Sequence, residues 1–239
     1  MRNRGCHPGI IGFMIRAMIK AIIMDFDGLI VDTETAWFES FRDALAAYRV
    51  EFPLELFGRI VGTHNGLLQR YLEEQLASAA EVEAVYREAD RLHREKMAGA
   101  DARDGVRAYL EEARQLGLRI GLASSSDRRW IETYLNRLGL RPYFEAIRSS
   151  DDVQRVKPDP ELYLQAVEAL NVRPSEALAF EDSVNGSKAA KAAGLRCIIV
   201  PNPVTEHLHF EHYDLRIRSM GDQPLADLIR RIEAESAGD

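Results

Sequence analysis

Ala21, Ile22, Ile23 and Met24 run without a polar interruption and stop abruptly at Asp25-Phe26-Asp27-Gly28. A strand buried on both faces reads as a continuous apolar run, whereas a strand with one wet face alternates. The same form recurs along the chain: residues 118–123 stop at Ser124-Ser125-Ser126-Asp127, residues 177–180 at Glu181-Asp182, and residues 197–200 at Pro201. Ala146-Ile147, ahead of Arg148, is a weaker instance. Between these runs lie segments with helical spacing of apolar residues, at 106–116, 129–138, 160–170 and 186–193. Gly117, Gly139 and Gly194 each follow the last periodic residue of such a segment, where a glycine closes a helix. Strands alternating with helices predict an α/β domain with a doubly wound, mostly parallel sheet. Ligands of such sheets gather at the carboxyl ends of the strands.

After the first run the rhythm breaks. Residues 33–98 hold no comparable strand pattern but four helical ones, at 36–48, 54–61, 67–76 and 82–97. This predicts a helical cap inserted at 33–98 into a core made of 18–32 and 99–239. A length of 239 residues suits one main domain carrying an insertion, at a prior of roughly 150 residues per domain. Residues 1–17 are expected to be an appendage without chemistry. Their apolar stretch is broken by Gly12, ended by Arg16 and lacks a small-residue cleavage pattern, so a signal peptide is a poor reading. Met14 and Met18 are alternative starts, and the true one is left open.

Composition narrows the function classes. A net charge of −7 with 29% charged residues, mixed along the chain, argues against nucleic acid as the partner. No run reaches the ~18 apolar residues of a membrane helix, so no membrane partner is expected. Cys6 and Cys197 are far apart and without metal-ligand spacing, which suits a reducing cytoplasm. Oligomeric state is open, with a monomer favoured.

The strand ends carry the chemistry. Asp25, Asp27, Glu181 and Asp182 converging on one edge would raise one another's pKa unless a cation sat among them. Oxygen donors without His or Cys favour Mg²⁺, and Mg²⁺ implies a phosphate-bearing substrate. Phosphoryl transfer needs a nucleophile, an acid/base and donors for the transferring oxygens. Asp25 is a candidate nucleophile, and Gly28 allows a turn that brings Asp27 beside the substrate. Ser124 and Ser125, with the helix start that follows, are candidates for holding phosphate. Lys157 lies between Val156 and Pro158-Asp159-Pro160, one of five lysines among 31 basic residues, placed to neutralise phosphate and nucleophile together.

With DFDGLIVDTE at 25–34, LASSS at 122–126, VKPDPELY at 156–163 and FEDSVNG at 180–186, the chain resembles the haloacid dehalogenase-like (HAD) hydrolases. Among them it is similar to the β-phosphoglucomutase-like and phosphoglycolate phosphatase-like members with an α-helical cap. The resemblance, which spans Met18 to about Ile232, implies a Rossmann-like core and an aspartyl-phosphate formed on Asp25. It implies that Asp27 protonates the leaving oxygen and then activates water. Mg²⁺ would be held by Asp25, the Asp27 carbonyl and Asp182, with Glu181 as a ligand or behind them, and Ser124 and Lys157 would hold the phosphoryl group. The expected activity is hydrolysis of a small phosphorylated metabolite, such as a sugar phosphate.

Two alternatives stay open. β-Phosphoglucomutases carry a cap histidine twelve residues after the nucleophile, where this chain has Trp37, and a cap-loop arginine, where it reads Val61-Gly62-Thr63-His64-Asn65. Both departures favour a phosphatase over a mutase. A non-catalytic phosphometabolite binder would have no need of Asp25, Asp27, Lys157 and Asp182 together. His64, Asn65 and Trp37 are the candidates for substrate specificity. His207, His209 and His212 are expected at the surface rather than on a metal, and Arg87, Arg91 and Arg94 on a wet helix face.

Overall fold

The structure is a computed structural model that describes residues 19–61 and 66–235. Six strands form one sheet: β1 (Ala21–Met24), β2 (Arg119–Ala123), β3 (Ala146–Arg148), β4 (Ala177–Glu181), β5 (Arg196–Ile199) and β6 (Leu215–Arg216). Their order is β3-β2-β1-β4-β5-β6, and every pairing is parallel. The apolar runs are β1 to β5 with ends shifted by at most a residue. β6 escapes sequence reading because two residues make no pattern; it forms by pairing Leu215 and Arg216 with Ile198 and Ile199.

The strands are apolar throughout because helices cover both faces. Ile22 and Met24 point into one layer with Ile120, Leu122, Leu178 and Phe180, under α5 (Val106–Gln115), α6 (Arg128–Arg137) and α9 (Leu225–Glu235). Ala21 and Ile23 point into the other, with Ala123, Ala179 and Ile199, under α7 (Glu161–Ala169) and α8 (Val184–Ala192). Each fully buried aliphatic side chain there contributes about 1.5–3 kcal/mol. Gly117, Gly139 and Gly194 all have positive φ, as helix-closing glycines do.

Between β1 and α5 the chain makes α1 (Thr33–Ala46), α2 (Leu54–Ile60), α3 (Leu67–Gln75) and α4 (Ala79–Met97). These four helices share an apolar cluster of their own, including Phe41, Leu45, Phe52, Phe57, Leu72, Val85 and Ala89. α1, α4 and α8 begin two or three residues earlier than apolar periodicity predicts, and the reason is capping. Asp32 accepts from Thr35 N at 3.1 Å, Ser78 from Glu81 N at 3.3 Å, and Ser183 from Gly186 N at 3.0 Å. Each cap fixes the first residues of α1, α4 or α8 ahead of the point where the apolar periodicity becomes visible.

Candidate active site

β1 lies in the middle of the sheet, flanked by β2 and β4, so its end is where loops from three strands meet. Asp25 continues the ladder through its N–H to Phe180 O at 3.0 Å. The chain then turns at Gly28, whose φ is +73°. A Cβ there would lie 2.2 Å from Asp182 Oδ2 and 2.5 Å from Asn202 Nδ2, so only glycine lets this turn reach the Asp182 carboxylate. Arg103 holds the turn against the end of β5, donating to Gly28 O, to Val200 O at 3.2 Å and to Pro201 O at 2.6 Å.

Lys157 sits at the centre, 3% exposed. Its Nζ donates to Asp25 Oδ1 and to Glu181 Oε1, both at 2.6 Å. Burial alone would drive its proton off, but Asp25 and Glu181 outweigh burial and raise its pKa above the usual lysine range. Burial pushes the Asp25 carboxyl up to about 7, against the pull of Lys157 and with the help of Glu181 and Asp27. Glu181 also accepts from Tyr163 Oη at 2.6 Å and Ser183 Oγ at 3.2 Å, so its oxygens are well occupied. Gly186 makes room for it: a Cβ there would lie 1.9 Å from Glu181 Oε2.

Asp27 is held by four donors. Its Oδ1 accepts from Thr33 Oγ1 at 3.0 Å and from Trp130 Nε1 at 2.9 Å. Its Oδ2 accepts from Ser126 Oγ at 2.6 Å and from Ser124 Oγ at 3.4 Å. Ser125 Oγ is buried beside them with no partner, which leaves it available to an incoming oxygen.

Asp25, Glu181 and Asp182 each offer a carboxylate oxygen within 4.8 Å of the others. Asp182 Oδ2 accepts from Asn202 Nδ2 at 2.7 Å, but Oδ1 is buried without a partner. Burial, then Asp25 and Glu181, raise the Asp182 pKa well above the carboxylate range. An orphaned oxygen inside an all-oxygen cluster fits a hard divalent cation. The Asp27 carboxylate is not in that cluster, being turned toward its four donors.

Above these groups opens a cavity of about 580 Å³. Asp25, Asp27, Ser124, Ser125, Lys157 and Asp182 line its floor, and Trp37 lines the helical side. His64 and Asn65 lie outside the described residues. His209 and His212 are exposed beside Glu211, and among the described residues the acidic triad is the only metal-competent cluster. Arg87, Arg91 and Arg94 pair along α4 with Glu83, Glu88 and Asp90. Sequence reading does not single out Thr33, Trp130, Tyr163 or Asn202, and takes Ser126 only as part of the serine turn that follows β2. Thr33 and Ser126 stand inside recognised motifs and were within reach of it; Asn202, at the end of β5, carries no local signal.

Residues 22–200 match the haloacid dehalogenase-like hydrolase family, and the chain belongs to it. It is 47% identical to YhcW of Bacillus subtilis (strain 168) over 92% of this chain and all of that protein. It is 35% identical to the phosphorylated carbohydrates phosphatase of Thermotoga maritima, over 75% of this chain and 84% of that one. Among solved structures, CbbY from Rhodobacter sphaeroides in complex with phosphate superposes with a TM-score of 0.71 at 31% identity, covering 88% of this chain and 99% of that one.

Proposed function

We propose that this hydrolase is a Mg²⁺-dependent phosphatase that cleaves a small phosphomonoester, of the size of a sugar phosphate, through an aspartyl-phosphate. The observation that carries the reading is the pairing of a buried Asp25 with Lys157 at 2.6 Å, beside an Asp27 held by four donors at the same cavity floor. The relatives support it, since one of them is named for phosphorylated carbohydrates.

Asp25 presents the carboxylate oxygen not tied to Lys157 to phosphorus. A bond forms from that oxygen to phosphorus as the bond to the leaving alkoxide breaks, and Asp27 delivers the proton the alkoxide needs. Ionised Asp27 then takes a proton from water, whose oxygen attacks the phosphoryl group and frees Asp25 with release of phosphate. Trp130, Thr33 and Ser126 fix the direction from which Asp27 approaches. Lys157, Ser124 and the unpartnered Ser125 hydroxyl receive the phosphoryl oxygens. Asp25, Asp182 and the Asp27 carbonyl would hold Mg²⁺, with Glu181 behind them anchoring Lys157. Bound there, the ion neutralises charge on the phosphoryl oxygens. The helices of 33–98 serve as the cap that covers the floor and excludes water.

The test is release of inorganic phosphate from a panel of small phosphomonoesters with Mg²⁺, wild type beside Asp25→Asn and with EDTA as a third arm. Release that needs both Asp25 and Mg²⁺ is expected. No release from any ester, acetyl phosphate included, overturns the reading. Conversion of β-glucose 1-phosphate to glucose 6-phosphate in place of release makes the enzyme a mutase.

A further inference from the structure

The two sides of the cavity are chemically unlike. The floor carries carboxylates, hydroxyls and Lys157, whereas the helical side is walled by Trp37, Phe41, Phe57, Val61, Leu68 and Tyr86. These rings are locked in place before any ligand arrives. Trp37 lies flat on His93, centroids 3.7 Å apart and planes 9° apart, and stacks on Phe41 at 5.7 Å. Tyr86 meets Phe41 edge-on at 5.8 Å, and Phe57 packs on Phe52 at 5.8 Å. A wall so pinned binds what already fits it, because reorganising it would break packing on its far side.

Among the described residues, the helical side offers a second phosphate no cation. Its polar lining side chains are Glu34 and Asp90 together with the Tyr86 phenol, and Asp90 is paired with Arg94. Lys157 is the one cation lining the cavity among the described residues, and it is engaged by Asp25 and Glu181. A polyol fares little better. Most of its hydroxyls would face aromatic rings and lose their water without a replacement partner. An apolar body gains from the same burial.

We infer that the preferred substrate is a monophosphate whose leaving alcohol presents an apolar or aromatic face to the wall of Trp37, Phe41, Phe57 and Leu68. This rests on the phosphatase reading above and narrows its substrate class. Burial, with Asp27 and Asp25 nearby, raises the Glu34 carboxyl pKa well above the usual carboxylate range.

The experiment compares kcat/KM for benzyl phosphate, glycerol 1-phosphate, glucose 6-phosphate and fructose 1,6-bisphosphate with Mg²⁺. All four are alkyl esters, so chemistry alone separates them little. Each value is taken relative to acetyl phosphate, which is too small to span the cavity. Benzyl phosphate is expected at least tenfold above glycerol 1-phosphate and glucose 6-phosphate, with the bisphosphate lowest. Leu68→Arg, which sets a cation in the wall, is expected to lower the benzyl-to-bisphosphate ratio at least tenfold. Should that variant not fold, the wild-type ranking decides alone. Glucose 6-phosphate or the bisphosphate matching benzyl phosphate overturns the inference while leaving the phosphatase reading intact, as does an unchanged ratio in folded Leu68→Arg. Turnover of none of these compounds, acetyl phosphate included, overturns both.

Discussion

The floor of the cavity and the helical wall opposite it are held by different physics. In the floor, Lys157 bridges Asp25 and Glu181, partners 132 and 24 residues away in the chain, and each contact is a charged hydrogen bond out of reach of water. In the wall, Trp37 and Phe41 are one helical turn apart on α1, and their neighbours His93 and Tyr86 come from α4. Removing one ion from the floor leaves its partners buried and uncompensated, whereas removing one ring from the wall leaves a hole that neighbours partly fill. Charge is thus concentrated in few groups, and apolar packing is spread over many.

Lys157→Met should break the floor most severely. Two buried carboxylates would then face each other, at a cost of about 3–5 kcal/mol in unfolding free energy, and phosphate release should fall to the level of Asp25→Asn. Urea denaturation and a phosphate assay check both, and wild-type stability would show that the bridge is not what holds the floor. Phe57→Ala, 4% exposed in the native chain, should cost about 3 kcal/mol in the same denaturation. Acetyl phosphate hydrolysis should remain measurable in it. A rate as low as that of Lys157→Met would erase the distinction between the two sides.

His93 sharpens the comparison through pH. Burial pushes its imidazole down from 6.5 to about 4, with Nε2 unpartnered and a hydrogen bond to the Thr33 backbone. Between pH 6.5 and 4 the unfolded chain accepts a proton that the folded chain refuses, so stability falls as pH falls through that window. The loss amounts to at most about 3 kcal/mol. Urea midpoints across this range should show a slope that His93→Phe reduces; an equal slope in the variant places the titrating group elsewhere.

The smallest effect is expected where wall and floor meet. Trp130 stacks on His93 at 5.7 Å and on Tyr134 at 4.5 Å while its Nε1 donates to Asp27. Trp130→Phe keeps a ring there and deletes one hydrogen bond, which corresponds to about tenfold in kcat with KM little changed. In kcat/KM the loss should be larger for an alkyl phosphate than for p-nitrophenyl phosphate, whose leaving group has little need of the Asp27 proton. Equal losses on the two esters would reduce Trp130 to a packing residue.

Much of the floor was legible beforehand because each motif follows an apolar strand run, and parallel order brings strand ends to one edge. Asp25, Asp27, Ser124, Glu181 and Asp182 are nominated on that basis and Lys157 on its flanking prolines and the scarcity of lysine; the structure brings all but Glu181 to one cavity lining, with Glu181 behind, bonded to Lys157. Trp130 is not nominated, although it stands four residues after Ser126. One tryptophan on an amphipathic helix looks like core, and only its ring orientation reveals the bond to Asp27. Glu181 reads in sequence as a metal ligand or a residue behind the ligands; the structure sets three donors around it while one of its oxygens stays within 4.8 Å of those of Asp25 and Asp182.

By itself, then, the sequence determined the parallel sheet, the helical segment after β1 and the set of groups at the strand ends, because hydrophobic periodicity and motif position are local properties of a chain. Tertiary structure alone decided which oxygen each donor takes, that Asp182 keeps an orphaned Oδ1, and that an aromatic wall faces the carboxylates. Those outcomes depend on distances of a few ångströms between side chains far apart in sequence, and no local pattern encodes them.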